Sequence, residues 1–170
     1  QQSETVHLIP GIHGYQQTTE YTCGPAAVLV LARFYGLPGM ETNAATELRL
    51  AAEIGSSETT GTRPEQLVSW LEHNGFRATL EYEETRDYTA LYKLRDNIRA
   101  GIPTLVEWID LGGHWVVAVG YDDRGTPALA DDILILADSY DRYDDQPDGY
   151  TIVNAERFYW MWCDAFLFGK

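Results

Sequence analysis

Apolar and polar positions alternate with two different rhythms along this chain, and the change falls near its middle. Up to about residue 100 the spacing is helical. Ala26 to Tyr35 is apolar on nearly every face except at Arg33, so it predicts a helix buried all round, with Pro25 in its first turn and Gly36 at its end. Asn43 to Ile54 is rich in Ala, Leu and Glu and stops at Gly55, predicting an amphipathic helix. Thr62-Arg63-Pro64-Glu65 reads as a capping box with proline in the first turn. Leu67, Val68 and Leu71 then carry a third helix to the stop signal Asn74-Gly75. Arg77 to Glu83 alternates as a strand does, and Tyr88 to Ala100 returns to helical spacing through Leu91, Leu94 and Ile98.

From Ile102 onward, Val, Ile, Leu and aromatic residues gather into short runs separated by turn residues, the pattern of strands. Three are clear: Ile102 to Ile109, His114 to Tyr121 and Ile133 to Ala137. Arg124 to Asp132 reads as an extended hairpin between the last two. Tyr150 to Val153 adds a strand, Ala155 to Trp162 a short helix and Asp164 to Phe168 a closing strand. Helices first and strands after, without regular alternation, predict an α+β fold: a helical N-terminal half whose buried central helix packs on a C-terminal antiparallel sheet.

A chain of 170 residues that is 45% hydrophobic and 12% aromatic is long enough for one sizeable core. A single domain over residues 1–170 is expected, with residues 1–14 as an N-terminal arm. The net charge of −14, with only 12 Lys and Arg, excludes a nucleic-acid partner, because phosphate binding relies on clustered basic residues. No apolar stretch approaches the roughly 20 residues that span a bilayer, and no membrane partner is expected. Residue 1 is Gln, as a removed signal peptide or a trimmed chain would leave it. The location in the cell stays open, leaning toward secreted or extracytoplasmic. Two cysteines do not make a disulfide framework, so Cys23 and Cys163 are expected as free thiols, Cys163 in a structural role.

Cys23 stands at the head of the buried helix, where the positive end of the helix dipole favours a thiolate. The bland alternative is a buried thiol that only fills space. The Cys23 backbone N–H lies where an oxyanion would develop, and the side-chain amide of Gln17 could supply a second donor. Gln16 is the rival for that part, and the six-residue spacing favours Gln17. A cysteine nucleophile needs a base from another element, oriented by a third group. His114 opens an apolar strand directly after Gly112-Gly113. His7, His13 and His73 are weaker candidates, two in the arm and one near a helix end. Asp138 ends the run Ile133 to Ala137 on the expected neighbouring strand, beside His114.

Gln17-x5-Cys23-Gly24, then His114-Trp115-Val116-Val117-Ala118-Val119-Gly120-Tyr121-Asp122, then Ala137-Asp138, resembles the C39-like branch of the papain-like cysteine peptidases. The resemblance runs from Gln17 to Phe168. It implies a papain-like fold and a peptidase of peptide or protein substrates, with Cys23 as nucleophile, His114 as general base and then acid, Asp138 as its orienter and Gln17 as oxyanion donor. It implies neither a metal nor an organic cofactor. A transferase, or a binding module that no longer cuts, shares the same scaffold. Two departures bear on specificity. Members that trim bacteriocin leader peptides usually continue the aspartate with proline, where this chain has Ser139, and the His114 to Asp138 interval is longer here. The acidic stretch Asp138 to Gly149 faintly resembles a calcium loop through Asp144, Gln146 and Asp148, but position 155, where the bidentate Glu belongs, is Ala. A solvated acidic loop is the expectation.

Overall fold

The computed structural model describes residues 5–82, 85–142 and 145–163. Five helices and five strands follow one another as β1 (Val6–Leu8), α1 (Cys23–Phe34), α2 (Ala44–Ile54), α3 (Pro64–His73), α4 (Thr89–Arg99), β2 (Thr104–Trp108), β3 (His114–Asp122), β4 (Ile133–Ala137), β5 (Tyr150–Asn154) and α5 (Ala155–Cys163). The sheet is antiparallel throughout, and β3 is its spine. On one side β3 pairs with β4, which pairs in turn with β5. Its other edge is shared: β2 takes the first half, with Trp108 opposite His114, and β1 takes the second, with Leu8 opposite Gly120.

The two all-apolar segments of the sequence form the centre. Every residue of β3 is buried, as are residues 23–32 of α1, and the two elements pack on each other. A strand covered on both faces reads as a continuous apolar run rather than an alternating one. Helix α2 lies on α1, and α3 on α2, while α4 covers β1, β2 and β3, and α5 covers β2, β4 and β5. Among the described residues no helix is long and apolar enough to cross a membrane.

Several boundaries differ from the sequence reading for local reasons. The buried helix does begin at Cys23, the head expected for it, with Ala26 N–H bonded to the Thr22 carbonyl at 2.9 Å. Pro64 occupies the first helical position of α3, which makes Arg63 rather than Thr62 the cap. The Gln66 side chain accepts from the Arg63 N–H at 2.8 Å. Thr62, freed of that task, is buried and exchanges a hydroxyl hydrogen bond with Ser56. Residues 77–81 keep the alternating exposure of a strand, but the segment joins no other strand among the described residues, and Glu83 of the expected strand lies outside them. Residues 77–82 instead line, together with residues 102–107 of the β2 edge and apolar side chains of α3 and α4, a cavity of about 1040 Å³. The expected extended hairpin between β3 and β4 is a tight turn at Asp123–Thr126 followed by a single 3-10 turn, Leu129–Asp131. The expected arm contains β1, which at three residues is too short to announce itself by alternation. The expected strand Asp164 to Phe168 and the side chain of Cys163 lie outside the described residues. So does Asp144 of the acidic loop. The neighbouring carboxylates close turns: Asp141 accepts from the Gly149 N–H and Asp148 from the Tyr150 N–H.

Candidate active site

The structure gathers Cys23, His114 and Asp138 into one buried cluster, from the head of α1, the first residue of β3 and the residue just after β4. The β3–β4 pairing is what makes the last two neighbours, since Val117 faces Ala137 in the register and the strands run antiparallel. His114 Nε2 and Asp138 Oδ1 are 2.7 Å apart. The Cys23 thiol lies within electrostatic reach of the ring. With Nε2 occupied by the aspartate, Nδ1 is the ring nitrogen left for exchange with another group.

Burial by itself disfavours a charged ring, but the hydrogen bond to Asp138 and its negative charge, together with the interaction with Cys23, outweigh it and raise the His114 pKa to about 9. Burial also opposes a charged Asp138. Its hydrogen bonds with His114, with the Tyr140 N–H at 2.8 Å and with the Thr151 hydroxyl at 2.7 Å hold it below the ordinary carboxylate range instead. The pair is therefore an imidazolium and a carboxylate near neutral pH.

The head of α1 leaves donors open. Pro25 has no N–H and Ala26 bonds to Thr22, so Cys23 and Gly24 hold the N–H groups with no carbonyl inside the helix to accept them. A threonine N-cap usually turns its hydroxyl onto such groups. Thr22 does not: its hydroxyl donates to Glu47. Gly24 is pressed against Thr62, where a Cβ would meet the threonine Oγ1 at 2.6 Å. Trp115 Nε1 donates to the carbonyl of the same Thr62 at 3.0 Å. The residues that follow the thiol and the imidazole thus meet on one threonine, which fixes α1 against β3.

Gln17 lies in the loop that leads into α1. Its Nε2 donates to the Thr19 carbonyl at 2.7 Å, its Oε1 accepts from the Ser139 hydroxyl at 2.7 Å, and its backbone N–H donates to the Ser139 carbonyl at 2.9 Å. Gln16 is exposed. His7 lies on β1, His73 at the end of α3, and His13 bonds to the Gly14 carbonyl, so none of the three enters the cluster.

The residue that sequence reading missed most plainly is Glu47. It is fully buried, and its carboxylate accepts from the Thr18 N–H, the Thr18 hydroxyl, the Thr22 hydroxyl and the Tyr15 side chain. One carboxylate so ties together the loop that carries Gln17 and delivers Cys23. A signal was present: Glu47 stands one and two turns before Leu50, Ala51 and Ile54, on the buried stripe of α2 rather than its wet face. The large cavity beside β2 touches none of Gln17, Cys23, His114 or Asp138, although Trp115 reaches its wall.

The profile of the Peptidase_C39 like family matches residues 9–163. The chain belongs to that family. A solved structure similar to this Peptidase_C39 like protein is the peptidase domain of Streptococcus ComA, described as a bi-functional ABC transporter involved in a quorum sensing pathway. The two superpose with a TM-score of 0.60 at 20% identity, covering 89% of this chain and 93% of the other. At that identity the likeness speaks for the fold, and the papain-like α+β architecture expected from the sequence is the one found. No curated protein matches the chain.

Proposed function

We propose that this protein is a cysteine peptidase that cleaves peptide bonds through an acyl-enzyme on Cys23. The observation that carries the reading is His114, bonded on one ring nitrogen to Asp138 at 2.7 Å and electrostatically coupled to the Cys23 thiol. A protonated imidazole beside a thiol stabilises the thiolate, which is the reactive form.

In the reaction, the Cys23 sulfur attacks the carbonyl carbon of the scissile bond. The oxyanion takes hydrogen bonds from the Cys23 N–H and from Nε2 of Gln17. His114 gives its proton to the leaving amine as the C–N bond breaks, and a thioester remains. His114 then takes a proton from water, the resulting hydroxide adds to the thioester, and the acid product leaves as the thiolate re-forms. Asp138 stays ionised, and its part is to hold the ring and its positive charge. The partner this implies is a peptide or protein substrate.

Alkylation with iodoacetamide between pH 6 and 7, followed by peptide mapping, tests the reading. Cys23 should react well ahead of a model thiol, and His114→Ala should abolish the advantage. Equal rates in the two variants would remove the basis for a catalytic thiol.

A further inference from the structure

Ser139 follows Asp138, is almost fully buried, and makes a two-point contact with a residue 122 positions earlier. Its carbonyl accepts from the Gln17 N–H and its hydroxyl meets Gln17 Oε1 at 2.7 Å. The direction of that second bond is fixed chemically. The Thr19 carbonyl, 2.7 Å from Gln17 Nε2, can only accept, so the NH₂ end of the amide must face it. Gln17 Oε1 is then left toward Ser139, and the serine hydroxyl must donate.

We propose that Ser139 is a positioning residue for oxyanion stabilisation, holding the Gln17 amide so that its second Nε2–H points into the site. This rests on the peptidase reading above and adds a member to it. The amide of a glutamine turns about its last torsion, and two N–H groups on one nitrogen are useful only if that torsion is fixed. Thr19 grips the amide at one end and Ser139 at the other, leaving one N–H with no partner among the described residues. Because Asp138 and Ser139 are consecutive, one short segment after β4 orients both the base His114, through Asp138, and the oxyanion donor Gln17, through Ser139.

The test separates oxyanion stabilisation from thiolate formation with two small probes. Acylation by p-nitrophenyl acetate passes through a tetrahedral oxyanion, whereas alkylation by iodoacetamide does not. Ser139→Ala should slow Cys23-dependent acylation about tenfold, less than the roughly hundredfold expected on losing a donor outright. It should leave the alkylation rate within about twofold. In a Gln17→Ala background the same substitution should change neither rate, since the group it orients is gone. Ser139→Gly, which removes the hydroxyl without adding bulk, should repeat the pattern. Unchanged acylation in Ser139→Ala, an equal loss in both probes, or an undiminished effect in the Gln17→Ala background would each overturn the assignment. A native Cys23 no more reactive than a model thiol is a different result, and it would overturn the peptidase reading and this assignment together.

Discussion

Gly14 and Asp138 touch backbone to backbone: a Cβ on Gly14 would fall 1.8 Å from the Asp138 carbonyl oxygen and 2.7 Å from its nitrogen. The Gly149 carbonyl binds them together, accepting from the N–H of both residues at 2.8 and 3.0 Å. The N-terminal arm is thus pressed against the residue that orients His114. Gly14→Ala should displace Asp138 and destabilise the fold by about 1–3 kcal/mol, the usual cost of forcing a methyl into a packed site. Urea unfolding would measure that loss, and the Cys23 alkylation rate should fall with it. Full retention of both would mean that the arm does not press on the site.

The His114 pKa near 9 gives the site a pH signature. An unfolded histidine titrates near 6.5, so the folded state holds this proton more tightly. The stability this contributes is whole below about pH 6.5 and is lost as pH rises through about 9. Asp138, held below the ordinary range, contributes above that range and loses its share as pH falls through its lowered pKa. The cluster should therefore be firmest between the two. Peptidase activity should have an alkaline limb near pH 9, and an NMR titration of His114 should give the same midpoint. Asp138→Asn removes one hydrogen-bonded charge and should move that limb to lower pH, with activity reduced on the order of a hundredfold. Asp110 also lies within electrostatic reach of His114, so Asp110→Asn is the control, and its smaller shift should be in the same direction.

Glu47 offers a prediction on the loop that carries Gln17. Removing the carboxylate in Glu47→Ala takes the acceptor away from the Thr18 N–H and hydroxyl, at the partly buried end of the site, and from the buried Thr22 hydroxyl, which keeps only the Thr19 contacts. Each unmatched buried group costs about 1–3 kcal/mol, less what water recovers. Thermal unfolding should show a loss of several degrees or more. Glu47→Gln keeps the volume but turns one acceptor into a donor, so it should rescue stability only in part. Activity is expected to fall more than stability does, because the loop also delivers Cys23.

Thr151 on β5 donates to Asp138 Oδ2 at 2.7 Å. Thr151→Val keeps the shape of the side chain and deletes that donor. The expected result is a lower urea midpoint with an unchanged slope, worth about 1–3 kcal/mol. Asp138 should also become easier to protonate, so the acid edge of stability should move to higher pH.

Much of the site was legible because its members border apolar runs. Cys23 heads one, His114 opens another and Asp138 ends a third, and such borders are where a polar side chain can be both buried and placed. Their supports were hidden for a definite reason. Ser139 meets Gln17 across 122 residues, and Thr151 meets Asp138 across 13. Neither contact leaves a trace in local periodicity. Arg77 to Glu81 shows the opposite failure, since alternation reports which residues face the protein but not whether a partner strand is within reach. Glu47 was readable in principle, yet an acid in an amphipathic helix is ordinarily assigned to water.

The sharing of one β3 edge by β1 and β2 has a further consequence, for handling the protein rather than for its chemistry. Strand β1 alone pairs with Gly120, Tyr121 and Asp122 on that side. Were a protease to remove the residues before Ile9, it would uncover main-chain donors and acceptors at the end of the most thoroughly buried strand in the molecule. An open strand edge is a template for pairing with another chain. The N-terminal arm acts in this respect as a guard against self-association, and nicked preparations should precipitate before they lose their secondary structure.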